Sequence, residues 1–505
     1  MAVSVTETEA KYETDEQLDP RVLQRVPGVG EARVEGEQEL RAEYFDTGDL
    51  RLIRAGITLR RRTGGTDSGW HLKLPAGPQT RQEIRLPIGP AVQEVPAELA
   101  DLVQAWARAR RLRKVATVIT RRRVITLADD AGQSLAEVAD DEVSGLREND
   151  LASVTSWREV EVELTGGGRR LLAAADEVLR EAGLRRAGYS AKLERVLGVP
   201  DVTAQHAPEL SPSAPSARVV TAYLRQHVHA LVTMDPMVRR REPDAVHQMR
   251  VASRRLRSTL RSFGAIVSGS ATADVAAELR WLGHVLGTAR DAEVQARRIR
   301  GCAEHTDVEQ LLGPVQARIQ AHFARAGAAA MADVLAALRS RRYYALLDRL
   351  DAVIASPPPG PQAASPARRG IPAAVRGSDR KARRRMRSAW RAPAGPARDA
   401  ALHQARKAAK QARYACEAAA PVAGGSARRL ARRMKKLQTV LGDHQDTVVG
   451  RHLARQLAVE AHAAGESAFS YGLFYERDAW RAAQLQARAG KAWQKAARPR
   501  LRRWL

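Results

Sequence analysis

Polar and apolar positions alternate with a period of two through most of the first 200 residues. Residues two apart share one face of a strand. Val3, Val5, Glu7, Glu9 and Lys11 therefore point the same way. Thr58, Arg60 and Arg62 oppose Ile57 and Leu59; His71 and Lys73 oppose Trp70, Leu72 and Leu74; Arg81, Glu83 and Arg85 oppose Ile84 and Leu86. Arg121 and Arg123 share a face in 115–127, and Glu137 and Asp141 share one in 134–141. Glu159, Glu161 and Glu163 share one in 157–164, opposite Val160, Val162 and Leu164. An antiparallel sheet with one solvated face is the usual source of such alternation. Three glutamates spaced roughly 7 Å apart repel one another, however, and clusters of both signs recur on nearly every strand. A sheet closed into a barrel, with charged faces inward and helices over its apolar outside, accounts for both facts. Such a lumen suits a densely anionic ligand gripped by Arg and Lys, with a divalent metal held by carboxylates.

The pattern then changes. Val199–Ala217 is rich in Pro, Ser and Ala and reads as a linker; long helical patterns of Ala, Leu and Arg follow it. The expected division is 1–200, a linker at 201–217 and a helical part at 218–505. A second Pro-rich stretch, Ser356–Pro372, reads as a loop or inter-bundle connection. The helical part repeats itself. His247-Gln248-Met249-Arg250 matches His403-Gln404-Ala405-Arg406, and the Leu286-Gly287 block ending at Asp291 matches the Leu441-Gly442 block ending at Asp446, at nearly one offset. Two related helical bundles are expected.

On the first of the repeated helices, His247, Arg250, Arg254, Arg257 and Arg261 form one stripe, opposed by Met249, Ala252, Leu256 and Leu260. His403, Arg406, Lys410 and Arg413 reproduce it, with Lys407 alongside. Solvated helix faces ordinarily mix signs at i,i+4 for stability. Like charges stacked over three turns, twice, call for an anion along them. The charge balance agrees: residues 1–200 hold 30 Lys+Arg against 33 Asp+Glu, and the remainder holds 53 against 24. Such asymmetry marks two modules with different partners, the second expected to face a polyanion.

Glu7-Thr-Glu9-Ala-Lys11 resembles the ExExK signature that opens the CYTH family, the triphosphate tunnel metalloenzymes. Tyr44–Gly64, Trp70–Pro75, Arg81–Pro87, Leu135–Val143, Trp157–Leu164 and Ser190–Gly198 are similar to that family in order and spacing. The resemblance implies an eight-stranded antiparallel tunnel that binds triphosphates and usually hydrolyses them with Mg²⁺ or Mn²⁺. It implies that Glu7, Glu9, Glu159 and Glu161 hold metal and act with Lys11 in catalysis, with Asp141 and Glu163 as additions. Lys11, Arg60, Arg62, Lys73, Arg121, Arg123 and Lys192 would line the phosphate path, and Glu83 and Glu137 would be acidic positions of the tunnel. The run Arg121–Arg123 leaves its register open, because a one-residue slip turns Arg122 inward.

The segments beginning at His247, Leu286, His403 and Val440 resemble the CHAD family, the conserved histidine α-helical domain. That resemblance implies two pseudo-symmetric four-helix bundles that bind inorganic polyphosphate. His247, Arg250, Arg254, Arg257, His403, Arg406, Lys407, Lys410 and Arg413 match its polyanion-contacting positions, followed by Arg290, Arg433 and Lys436. Asp291 and Asp446 would orient basic side chains or cap helices.

The combined expectation is a multidomain chain, α+β then all-α, that hydrolyses a triphosphate and captures polyphosphate. A polyphosphate-binding scaffold without turnover and a CYTH-type adenylate cyclase are the alternatives. Nucleic acid is a weaker partner, since aromatics are 4% of residues and no nucleic-acid motif is present. Neither a signal peptide nor an apolar 18-residue window is found, and two cysteines, Cys302 and Cys416, make no disulfide scaffold. A cytoplasmic location without membrane contact is expected, with association to polyphosphate granules left open.

Overall fold

The computed structural model describes residues 3–77, 79–89, 94–148, 150–199 and 210–505. It forms two compact units, Met1–His206 and Ala207–Leu505. Most of the expected linker, 200–209, lies outside the described residues.

In the first unit the elements run β1 Val3–Thr14, α1 Pro20–Leu23, β2 Glu31–Asp46, β3 Thr58–Thr63, β4 Gly69–Gly77 and β5 Thr80–Leu86. Then come α2 Ala97–Leu102, α3 Gln104–Ala107, β6 Arg113–Ala128, β7 Ser134–Arg147, β8 Asp150–Leu164, α4 Arg169–Glu181, β9 Arg185–Arg186 and α5 Lys192–Leu197. The strands follow the order β5-β4-β3-β2-β6-β7-β8-β1, and β1 closes the ring on β5. This is an eight-stranded antiparallel barrel, with the two-residue β9 added beside β1. Closure rests on a division within β1. Its first half pairs with β5, setting Glu7 opposite Arg81, and its second half pairs with β8, setting Glu9 opposite Glu163 and Lys11 opposite Glu161. The glutamates and lysine of the ExExK run therefore straddle the seam.

The barrel's outer face is apolar where α4 covers it. Leu171, Leu172, Ala175, Val178 and Leu179 fall on one side of α4 and pack on Ile125, Leu127, Val138, Val160 and Val162. Inside, one end of the barrel is filled. Leu193 and Val196 of α5 pack against Ala42, Val118, Val143 and Trp157, which face inward. The lumen is thus a cup floored by α5, not a tunnel open at both ends. Glu194, fully buried, accepts from the backbone N–H groups of Ser190 and Ala191 at 2.6 and 3.2 Å and fixes the turn that launches α5.

Arg121 and Arg123 do not face the lumen. On β6 the inward positions are Val118, Thr120 and Arg122, with Arg122 opposite Asp141 of β7. Arg121 is exposed, and Arg123 is held outside the barrel by Asp140 at 2.9 Å. The physical reason is that Ile125 and Leu127 share the parity of Arg121 and Arg123 and must lie beneath α4. Apolar burial, not the larger number of arginines, selects the face.

The second unit contains α6 Ser216–Arg239, α7 Ala245–Ser262, α8 Ser270–Glu304, α9 Val315–Leu338, α10 Arg341–Ala355, α11 Ala367–Arg391, α12 Pro396–Ala463 and α13 Phe469–Ala496. α12 is two helices broken at Gly424, whose φ of 55° and ψ of −134° no helix contains. Among the described residues the second repeat thus has four helical segments (α11, the halves of α12, and α13) and the first has five. None of the described helices is long and apolar enough to cross a membrane.

The two repeats are joined where they begin. Pro215 and Pro366 cap α6 and α11 with matching dihedrals, φ −55° and −54°. The N–H of Ser216 donates to Ser365 and that of Ala367 to Ala214, both at 2.8 Å; Ala217 and Arg368 donate to Ala363 and Pro212 at 3.0 and 2.9 Å. The second Pro-rich stretch therefore ends as a loop at Pro366, and Pro372 lies inside α11.

Gly145 of β7 faces α5, and a Cβ there would run into Val196 Cγ2. Gly145→Ala should destabilise the barrel by about 1–3 kcal/mol through overpacking. The double variant G145A/V196A should recover most of that in chemical denaturation; a neutral G145A would show that α5 does not seat in the lumen.

Candidate functional sites

The cup of the barrel is lined by Glu7, Glu9, Lys11, Tyr44, Thr58, Arg60, Arg62, Lys73, Arg81, Arg122, Glu161, Glu163, Ala191 and Lys192, around a cavity of 60 Å³. At its floor, Lys192 reaches from the first position of α5 to Glu159 at 2.7 Å, Glu161 at 2.8 Å and Asp141 at 2.9 Å. Arg122 grips both oxygens of Asp141 at 2.8 and 2.7 Å and reaches Glu161 at 3.0 Å. Trp157 and Tyr189 donate to the second oxygen of Glu159 at 2.6 and 2.9 Å. Burial opposes the charge on Glu161, yet Lys11, Lys192 and Arg122 hold its carboxyl well below the usual range.

On the opposite wall Glu83 is wholly buried and receives His71 Nδ1 at 3.0 Å, Lys73 at 3.7 Å and Arg60 at 3.9 Å, with Arg85 also paired to it. It anchors cations from behind and does not line the cavity. Arg62 is paired with Asp67, but burial and the neighbouring Arg60 and Arg122 push it down to about 9. The Nε groups of Arg60 and Arg62 are buried without a hydrogen-bond partner.

The carboxylates separate into two groups. Asp141, Glu159 and Glu161 bring ligand oxygens within 4.8 Å of one another, a set that could hold a metal. Every one of those oxygens also takes a donor from Lys192, Arg122, Lys11, Trp157 or Tyr189. Near the mouth the balance is reversed. Glu163 has no hydrogen bond or ion pair with the described residues, and burial beside Glu7 and Glu9 pushes it up to about 7. Burial also raises Glu7, despite Lys73 at 2.5 Å. An excess of buried carboxylate oxygen is the donor set that suits a hard divalent cation. Glu7, Glu9 and Glu163 line the cavity with such oxygens, although among the described residues only Asp141, Glu159 and Glu161 bring three together within 4.8 Å.

The second unit holds two connected cavities. The first, of 410 Å³, is lined at one end by His247, Arg250, Arg254, Arg290, His403, Arg406 and Lys410. The second, of 580 Å³, shares Arg250, Arg254, His403, Arg406 and Lys410 and adds Arg257, Arg261, Lys381, Arg385 and Lys407. The apolar stripes hold the basic ones in place: Met249, Ala252 and Leu256 of α7 and Leu402, Ala405 and Ala409 of α12 are buried behind them. The repeated glycines also have a role. A Cβ on Gly287 would stand 3.3 Å from Arg250 Nη2, and one on Gly442 would stand 3.3 Å from Arg406 Nη2. Each lets its arginine lie against the neighbouring helix.

These cations are only partly neutralised, and Arg290 is paired with Glu293 at 2.8 Å. Arg250 has Asp291 at 2.9 Å, but the Nε groups of Arg250, Arg254 and Arg406 and the Nδ1 atoms of His247 and His403 are buried without partners. Burial and the arginines 254, 406 and 250 push Lys410 down to about 6. Both histidines are lowered as well, first by burial and then by neighbouring cations.

A CYTH domain model matches residues 6–193, and a CHAD domain model matches residues 222–455. The chain is a CYTH–CHAD protein. CYTH domains are metal-dependent tunnel enzymes that bind triphosphates, and CHAD domains are linked to polyphosphate. An uncharacterized protein of Mycobacterium tuberculosis, found in strains CDC 1551 / Oshkosh and H37Rv, is 38% identical over 487 residues, covering 94% of this chain and 93% of that protein. Among solved structures, PptA from Streptomyces chartreusis is 19% identical and covers 56% of this chain and 100% of its own, with a TM-score of 0.47. The CHAD domain from the plant Ricinus communis is 26% identical and covers 56% and 93%, with a TM-score of 0.45.

Within the CYTH barrel, Glu7, Glu9, Lys11, Arg60, Arg62, Lys73, Glu161, Glu163 and Lys192 meet at the cavity, while Glu83, Asp141 and Glu159 stand behind it as ion-pair partners. Glu137 shares the face of Asp141 but is exposed and does not line the cup. Tyr44, Thr58 and Arg81 are additions; Arg81 was visible by parity with Glu83, whereas Tyr44 and Thr58 carry no charge to signal them. Within the CHAD unit, Arg413 is held by Glu417 at 2.6 Å and Gln438 at 3.2 Å, and neither it nor Arg433 nor Lys436 lines a cavity. Lys381 and Arg385 line one instead, in an arginine-rich stretch of α11 where only packing distinguishes them from their neighbours.

Lys410 yields a signed prediction. At pH 8 it is neutral in the free protein, and a bound anion restores it towards its ordinary value of about 10.4. Tripolyphosphate binding should therefore take up a proton, detectable by calorimetry in two buffers of different ionisation heat, and K410M should remove the uptake. Separately, G287A and G442A should each weaken that binding about two- to fivefold by displacing the arginine, while helix propensity leaves stability unchanged or higher.

Proposed function

We propose that the CYTH barrel hydrolyses a triphosphate, inorganic triphosphate foremost, and that the CHAD unit binds inorganic polyphosphate. One observation carries the reading: both cavities keep buried arginine Nε–H groups without acceptors, at Arg60 and Arg62 in one and at Arg250, Arg254 and Arg406 in the other. An unsatisfied buried donor costs about 1–3 kcal/mol. Several on side chains that line one cavity would be relieved together by a ligand made of anionic oxygens.

In the barrel the chain's own residues bind and align. Lys11, Lys73 and Arg122 are already engaged by carboxylates, so they are held in place before substrate arrives. Arg60, Arg62 and Arg81 line the same cavity from β3 and β5. Glu7, Glu9, Glu161 and Glu163 would hold Mg²⁺ or Mn²⁺, which supplies charge neutralisation and a more acidic water. Direct attack by water suits the donor set better than a covalent route, because among the described residues no Ser, Cys or His lines the cup. The proposal includes a cytoplasmic location, in keeping with two unpaired cysteines.

Phosphate release from tripolyphosphate with Mg²⁺ or Mn²⁺ tests the catalytic half. E7Q/E9Q should lower turnover about a hundredfold or more at saturating metal, with an unchanged melting curve. R122A should cost at least about tenfold and R121A less than about twofold; equal effects would return the inward register to Arg121. Salt titration of polyphosphate binding tests the other half, and R250A/R406A should flatten its slope by up to about one unit per lost contact, by analogy with nucleic-acid phosphates.

A further inference from the structure

The 410 Å³ cavity of the CHAD unit is basic at only one end. Beyond Arg250 and Arg406 its walls are the C-terminal part of α8 and the second half of α12, which are repeat equivalents. Val294 and Val449 occupy matching positions on the two walls, and Ile299, Leu453 and Phe474 form a buried apolar surface between them. A polyphosphate chain would meet only Arg298 and two glutamine amides there, and the rest of its oxygens would lose water against hydrocarbon. The repeat is broken at one place on the border of this space. Where α8 carries Gln295, α12 carries Gly450, and a side chain there would collide with the Asp478 carboxylate paired to Arg298.

Polar groups border this apolar end without being used. Asp446 makes no hydrogen bond or ion pair with the described residues, and burial raises its carboxyl. Arg298 Nη1 is buried without a partner, and the amides of Gln295 and Gln445 line the same space. The site thus asks for a ligand with phosphates at one end and, at the other, a flat apolar body with hydrogen-bonding edges. A sugar phosphate would set hydroxyls against Val294, Leu453 and Phe474, and a lipid tail would run into the Arg298–Asp478 pair. A nucleobase meets both demands, since apolar and aromatic side chains sandwich its faces while carboxylate and amide groups read its edge.

We propose that the CHAD unit binds nucleoside polyphosphates, with phosphates among Arg250, Arg254, Arg406 and Lys410 and the base between Val294, Val449 and Phe474. The inference rests on the reading that the basic end takes phosphate chains.

The test uses the full chain in EDTA, where metal-dependent turnover stops, with ATP and tripolyphosphate as probes. V449W fills the apolar end, and V294W serves from the other wall if V449W does not fold. ATP affinity at this unit, defined as the part lost in R250A/R406A, should fall about tenfold in the tryptophan variant while tripolyphosphate affinity holds. Photolabelling with 8-azido-ATP should mark peptides of α8, α12 or α13, and tripolyphosphate should compete. Unchanged ATP affinity in both tryptophan variants overturns the inference alone, as does equal loss of both ligands. Tripolyphosphate binding that R250A/R406A leaves intact overturns the polyphosphate reading, and the inference falls with it.

Discussion

Charges of one sign held within a few ångströms of each other are what the rest of this chain has to accommodate. Repulsion among them is countered in two ways. In the barrel most cations are set against carboxylates from other elements: Lys73 against Glu7, Arg122 against Asp141, Lys192 against three acids at once. The strand pairings of β1 with β5 and β8 make this possible, because they bring residues distant in sequence to one height in the lumen. In the helical unit carboxylates are few, and the cost falls on packing. Buried apolar stripes on α7 and α12 force the basic stripes together, and Lys410 yields by giving up its proton near neutral pH.

The difference bears on what each cavity does with an anion. A lumen in which Lys11, Lys73, Arg122 and Lys192 are already paired presents a largely fixed charge pattern, so a phosphate chain entering it would exchange with carboxylates and little would rearrange. Preorganisation of that kind favours positioned chemistry. A groove whose cations outnumber their carboxylate partners would gain from a polyanion that neutralises it, which favours capture over discrimination.

Much of this was legible in the sequence. Alternation identified the charged faces of β1, β3, β4 and β8, and the repeated His–Arg blocks identified the bundles. Parity could not decide β6, where three consecutive arginines offer two faces and only the covering α4 selects one. Nor did the sequence reveal that α5 enters the barrel. Its Leu193 and Val196 look like any short amphipathic turn, and the space they fill is made by Gly145, about fifty residues earlier. Arg413 fits the basic stripe by spacing but is drawn aside by Glu417, one turn on, where the first repeat has Arg261. Helical periodicity identifies the face, and local ion pairs decide which members of it reach the cavity.

The pairing of Ser216 with Ser365 and Ala367 with Ala214 has a consequence during synthesis. These partners lie 149 and 153 residues apart, so the start of the first repeat stays unpaired until the start of the second has left the ribosome. At about 5–20 residues per second that interval is roughly 7–30 s. The first set of closely stacked arginines waits in the same way for His403, Arg406 and Lys410, which line the same cavities. The basic groove is therefore among the last parts of the chain to be completed.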